Sequence, residues 1–272
     1  MSVRLTVLAS GSKGNCAVVA NSSTRILVDA GLSCKETLKR LALAGEDPEQ
    51  ISAILITHEH NDHVQGLAVL ARKLKVPVYM TGATHQAWKR WSRKVQYKDE
   101  PEKAKLDRLE HFESGRKFSI GSIDVQPFTI SHDAVDPCGF VFTIEGVRVG
   151  FVTDLGQMTR NVADRLKACD GLLIESNHDT EMLRNGPYPW SVKQRVMSRV
   201  GHLSNEALAR FFAEDYDGGA AFIVLAHLSE NNNLPELAQH SAEAVLQTRR
   251  NLLHANTLHL APQDRPLAAI EI

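Results

Sequence analysis

A layered α/β fold is what this 272-residue chain predicts, on three observations. Short apolar runs rich in Val, Ile and Leu recur along it, helical amphipathic patterns lie between several of them, and the ionisable residues gather where the apolar runs stop. A hydrophobic content of 43% over this length suffices for a substantial core.

The strands RLTVLAS, from Arg4, and RILVDAG, from Arg25, come first. Ser33 to Ala44 reads as a helix, because Ser33 and Glu36 have capping-box spacing and Gly45 marks the stop. The strand AILITH, from Ala53, precedes a helix over Gly66 to Leu74, the strand VPVYM and a helix over His85 to Val95. IDVQPFTIS, GFVFTIEG and VRVGFVTD are strands, and Glu145-Gly146 between the last two is a hairpin signal. The strand GLLIES, helices over Ser191 to Val200 and Asn205 to Tyr216, the strand AFIVLAH and a helix over Pro235 to Arg249 follow. With no internal repeat and no low-complexity linker, one domain over 1–272 is expected.

Lys plus Arg, 31, nearly cancels Asp plus Glu, 32, so no global field announces a partner. The N-terminus lacks the apolar core of a signal peptide, and no run approaches the roughly 20 apolar residues of a membrane span. A cytoplasmic protein without a membrane partner is expected; the oligomeric state is not predicted. Cys16, Cys34, Cys138 and Cys169 form no CxxC pair and read as small core residues, not as a disulfide or thiolate-zinc framework.

Chemistry is concentrated at strand ends: Asp29, His58, His132, Asp154, Glu175 and His227 each follow an apolar run. Residues in such places can meet although far apart in sequence. The segment ILITHEHNDH breaks from an apolar run into three histidines and two acids. In an extended segment His58 and His60 point the same way, and a turn into helix lets Asp62 and His63 face a second, neighbouring metal. His132, Asp154 and His227 are the natural further ligands, and an aspartate such as Asp154 can bridge. Imidazole and carboxylate suit Zn²⁺, Mn²⁺ or Fe, and such a cluster beside a buried run is costly without a cation. Singly, each residue also reads as a cap, and Asp29 as a turn residue ahead of Gly31.

THEHNDH resembles the HxHxDH signature of the metallo-β-lactamase superfamily, and Asp29, His132, Asp154 and His227 fall in the order of its other motifs. The resemblance implies an αββα sandwich with a dinuclear centre: His58, His60 and His132 on one ion, Asp62, His63 and His227 on the other, Asp154 bridging, and Asp29 orienting a ligand. LASGSKGNC, SHDAVDPCGF, GHLSN and LAHLSENNN are similar to the YycJ/VicX (WalJ) branch, bacterial nucleases described as DNA exonucleases. LLIESNHD and GHLSNEALA resemble segments of the tRNase Z group, which nominates Glu175 and His202 for proton transfer.

The expected function is a phosphodiesterase, an exonuclease attacking DNA through a metal-bound hydroxide, with Asp62 serving catalysis as a ligand. The alternatives are RNA processing of the tRNase Z type and hydrolysis of a small thioester, lactone or cyclic phosphodiester. A non-enzymatic regulator is disfavoured, since no ligand position is lost. Lys193 and Arg195 precede His202 and are expected to orient phosphates, with Ser204 and Asn205 at the positive N-terminus of the next helix. Trp88 to Arg108 holds eight basic and four acidic residues. There Lys89, Arg90, Arg93 and Lys94 beside Trp88 and Trp91 either follow a nucleic-acid backbone and stack a base or form a solvated helix with core tryptophans. SGSKGN reads as a tight turn, lacking a Walker pattern.

Overall fold

The apolar runs become strands joined by short helices in a computed structural model that describes residues 3–248 and 256–272. In chain order the elements are β1 (Arg4–Ala9), β2 (Cys16–Ala20), β3 (Arg25–Val28), α1 (Cys34–Leu43), β4 (Ala53–Leu55), α2 (Asn61–Val64), α3 (Leu67–Leu74), β5 (Val78–Thr81), α4 (Gly82–Trp91), β6 (Leu109–Phe112), β7 (Phe118–Ile120) and β8 (Ile123–Thr129). They continue with β9 (Cys138–Ile144), β10 (Val147–Val152), α5 (Arg160–Leu166), β11 (Gly171–Glu175), α6 (Thr180–Asn185), α7 (Trp190–Val196), α8 (Asn205–Glu214), β12 (Phe222–Ala226), α9 (Pro235–Thr248), β13 (Thr257–Leu260) and β14 (Ile270–Glu271). The chain divides into two units, one of Met1–Pro127, Ala134–Cys138 and Pro262–Ile272, the other of Phe128–Asp133 and Gly139–Ala261.

In the first unit a seven-stranded sheet runs β14-β1-β2-β3-β4-β5-β6. In its antiparallel part, β14 to β3, short connections join β1 to β2 and β2 to β3 while β14 pairs with β1 from far along the sequence, whereas β3 to β6 are parallel and need crossovers, which α1, α3 and α4 supply. Leu27, Ile54, Leu67, Leu70, Met80 and Trp88 pack in its core. Ser33 caps α1, its hydroxyl accepting from the Glu36 amide at 3.2 Å, as the capping box predicts.

The second unit has the strand order β13-β12-β11-β10-β9. β9 and β10 form the expected hairpin, and Glu145 and Gly146 at its tip both take positive φ, 53° and 91°, as a two-residue turn of matching twist requires. β10 to β13 are parallel, and β10 to β12 are largely buried, with α5 and α8 packed by Val162, Leu166, Leu208, Phe211 and Phe212. That burial explains their unalternating apolar sequences.

Several boundaries differ from expectation. α4 starts at Gly82 because the Thr81 hydroxyl caps it, and it gives way after Trp91 to a π-helical turn over Ser92–Gln96. α7 stops at Val196, short of Val200. The expected last residue of α9, Arg249, lies outside the described residues. Strands β2, β6, β7, β13 and β14 and helices α2, α5 and α6 are too short or too weakly patterned to announce themselves. The four cysteines are free, three of them buried, and burial pushes the Cys138 and Cys169 thiols up to about 12. No helix among the described residues is long and apolar enough to cross a membrane.

Candidate active site

Three of the strand-end residues depart from their strands through left-handed backbone: Asp29 (φ 63°) after β3, Asp154 (φ 56°) after β10 and His227 (φ 56°) after β12. Such a conformation costs a non-glycine residue about 1–3 kcal/mol and persists where its surroundings over-determine it. The turn aims each side chain past the end of its sheet.

In the first unit Asp29 is buried and anchors the histidine motif. Its Oδ1 accepts from the Thr57 amide at 2.9 Å and hydroxyl at 3.0 Å, and its Oδ2 accepts from His63 Nδ1 at 2.8 Å. Burial pushes the Asp29 carboxyl up, against the pull of His63 and Thr57. His58 Nδ1 lies 3.0 Å from the Thr57 hydroxyl, and its ring is 4.7 Å from that of His60 and 4.1 Å from that of His63. His60 is the residue before α2, which swings Asp62 and His63 round in the first turn. Gly31 makes the close approach possible, since a Cβ there would meet the Asp62 carbonyl at 1.7 Å. Asn15, which the sequence offered only as part of a tight turn, belongs to this cluster. Its amide nitrogen donates to Asp62 Oδ2 at 3.1 Å and lies 3.0 Å from His63 Nε2, while its oxygen is fixed by the Gly11 amide at 2.8 Å.

In the second unit Glu175, fully buried at the end of β11, does what Asp29 does in the first. Its Oε1 holds His202 Nδ1 at 2.9 Å and His227 Nδ1 at 2.7 Å, and its Oε2 accepts from the Leu155 and Leu203 amides at 2.8 and 2.9 Å. Burial alone would raise its pKa, but the two histidines prevail and hold it at about 2. For His202 burial pulls the imidazole down and the Glu175 carboxylate outweighs it, so the ring sits above its ordinary value. His132 Nδ1 lies 3.1 Å from the Gly201 carbonyl, and its Nε2 is 3.7 Å from Asp154 Oδ1. Asp154 Oδ1 is also 3.5 Å from His227 Nδ1 and 3.8 Å from His202 Nδ1. Gly201 permits the His202 loop its path because a Cβ there would stand 2.2 Å from the Val196 carbonyl.

The residues expected to meet substrate fare differently. Lys193 is buried and its ammonium donates to the Arg184 carbonyl at 2.7 Å, so it faces inward and does not lie on an open phosphate track. Asn205 is buried too, accepting from the Ser176 hydroxyl at 2.7 Å and donating to Asn233 at 2.9 Å. Ser204 spends its hydroxyl capping α8 through the Ala207 amide. Arg195 is exposed and paired with Asp133. Glu175, expected beside His202 in proton transfer, stands beside it with both oxygens engaged, one on the two histidines and one on backbone amides.

Residues 24–228 match the family described as Beta-lactamase superfamily domain. The chain is 39% identical over 249 residues to Exodeoxyribonuclease YycJ of Bacillus anthracis, across 92% of this chain and 91% of that one. It is 41% identical over 235 residues to Exodeoxyribonuclease WalJ of Streptococcus pneumoniae serotype 2, across 86% and 85%. The chain belongs to the beta-lactamase superfamily, with YycJ and WalJ. The superfamily fold is shared by the Zn(2+)-bound PqqB of Methylobacterium extorquens, at a TM-score of 0.70 and 16% identity over 97% of this chain and 99% of that one. The fold class expected from the sequence is therefore that of its superfamily.

The donors of this superfamily member fit divalent metal. His63 gives its Nδ1 proton to Asp29 and His227 gives its own to Glu175, which makes Nε2 the lone-pair nitrogen in both rings, the tautomer that coordination requires. Around His63 the acceptors of two side chains, Asp62 Oδ2 and His63 Nε2, converge on the positive hydrogens of one amide.

Proposed function

We propose that the chain is a metal-dependent exonuclease hydrolysing the phosphodiester bonds of DNA. The observation that carries this reading is the pair of buried carboxylate locks, Asp29 on His63 and Glu175 on His227, which keep imidazoles in the coordinating tautomer. Exodeoxyribonuclease is the activity in the names of the YycJ and WalJ relatives, and it supports DNA over RNA. On the superfamily pattern His58, His60 and His132 would hold one ion and Asp62, His63 and His227 a second, with Asp154 as a further ligand, and residues 1–272 would serve as one catalytic domain. Divalent ions there, zinc or manganese with iron as a further candidate, supply Lewis acidity and a water acidified toward neutrality.

The chain's own groups do the rest. Asp29 and Thr57 fix the His58 and His63 rings, and Glu175 fixes His227 and His202 together. With Nδ1 on Glu175, His202 presents its other nitrogen to the leaving oxygen and hands over the proton. Arg195, exchanging Asp133 for a phosphate, orients the strand.

The test is to offer metal-reconstituted protein end-labelled linear DNA, closed circular DNA and RNA of the same sequence. An exonuclease shortens the linear DNA, spares the circle and stops on chelation. Cleavage of the circle at the linear rate, or of RNA alone, contradicts the reading.

A further inference from the structure

The first unit carries, beside its histidine motif, a cavity of about 480 Å³ on the outer face of α4. Its floor is apolar, made by Ala87, Trp91, Val95 and Val135 with the stems of Arg90 and Lys94. Val95 and Val135 are 62% and 61% exposed, which is costly for large aliphatic side chains unless something covers them. The rim continues into a shallower depression lined by Lys89, Arg90, Arg93 and Lys94. Four cations thus stand within six positions, and among the described residues none of them is in an ion pair. The structure also separates the two tryptophans of this segment. Trp88 is 1% exposed and packs in the core, whereas Trp91 is half-buried and lines the cavity.

We infer that this cavity is the subsite for an unpaired nucleotide of the DNA substrate, its base stacked on Trp91 and its flanking phosphates on Lys89, Arg90, Arg93 and Lys94. An aromatic floor with an acid-free cationic rim matches a flat apolar base between anionic phosphates, and it requires no sequence-specific acceptor. The volume lies within the roughly 300–1,000 Å³ typical of small-ligand sites, enough for a base with its sugar. Its place on the chain suits the role: the Val135 amide donates to Glu59 Oε1 at 2.8 Å, and Glu59 stands between His58 and His60. A nucleotide seated on Val135 is therefore tied, through one side chain, to the histidine motif. This inference rests on the nuclease reading above.

The test is binding of a fluorescent, hydrolysis-resistant phosphorothioate oligodeoxynucleotide to the metal-loaded full chain by anisotropy, with degradation of linear DNA followed in parallel. Trp91→Ala should weaken binding about five- to a hundred-fold, the range for one lost base stack, and Trp91→Phe should restore much of it. Arg93→Gln combined with Lys94→Gln, both on exposed positions, should flatten the log–log salt dependence of binding by about 1.4 for two lost phosphate contacts. Metal content and melting temperature should stay at parental values in all three. If the parental chain degrades DNA and both the Trp91→Ala and the Arg93/Lys94 proteins bind the oligonucleotide as tightly as it does, the subsite is wrong and the nuclease reading stands. If the parental chain neither binds nor degrades DNA, the nuclease reading fails and takes the subsite with it.

Discussion

Asp29 and Glu175 are buried carboxylates whose oxygens are all spent on neighbours, one oxygen of each on histidines. Removing the charge while keeping the shape isolates what each contributes. Asp29→Asn tolerates the left-handed backbone but no longer fixes the His63 tautomer, so affinity for Zn²⁺ should fall about 10- to 100-fold. Competition against a chromophoric chelator measures it; parental affinity in the variant would assign Asp29 to folding alone. His202→Ala should behave oppositely, keeping its metal and losing about two to four powers of ten in DNA cleavage. At this scale the sequence was most informative where types cluster. THEHNDH and the strand-end acids stand out because ionisable groups set directly after buried apolar runs are costly without a purpose. Asn15, Ser204 and Asn205 were opaque, because an amide or hydroxyl serves equally as cap, network member or ligand, and only the partner decides.

At the scale of elements, the buried polar stretch Ser176–His178 that leaves β11 answers to pH. Burial pulls the His178 imidazole down from 6.5 to about 4, outweighing the nearby Glu175. The unfolded chain therefore binds this proton more readily than the folded one. Stability from this residue is complete above pH about 6.5 and is lost as the pH falls toward 4, by on the order of 3 kcal/mol. Urea unfolding at pH 7 and pH 4.5 should show a smaller acid loss for His178→Gln than for the parent; equal losses would remove His178 from the account. α4 gives a second contrast. Trp88→Ala should cost about 3–5 kcal/mol as a core truncation, whereas Trp91→Ala should cost far less. Long strands and capped helices were legible, since Ser33 before α1 and Glu145-Gly146 between β9 and β10 carry local signals that the fold obeys. Composition did not distinguish the two tryptophans, because a three-residue spacing puts both near one helix face and the end of α4 at Trp91 determines which is covered.

For the molecule as a whole, membership in the beta-lactamase superfamily and the donor chemistry of each unit support one claim, the proposed binding of two divalent ions. Ions that bind only the folded chain stabilise it by mass action, so chelation should lower the melting temperature, and by less in Asp29→Asn. Calorimetric titration of the demetallated full chain with Zn²⁺ tests the claim most directly. Two equivalents should bind the parent, and both His58→Ala with His60→Ala and His227→Ala alone should lose at least one. Binding of no ion, or retention of two equivalents in both variants, would contradict it.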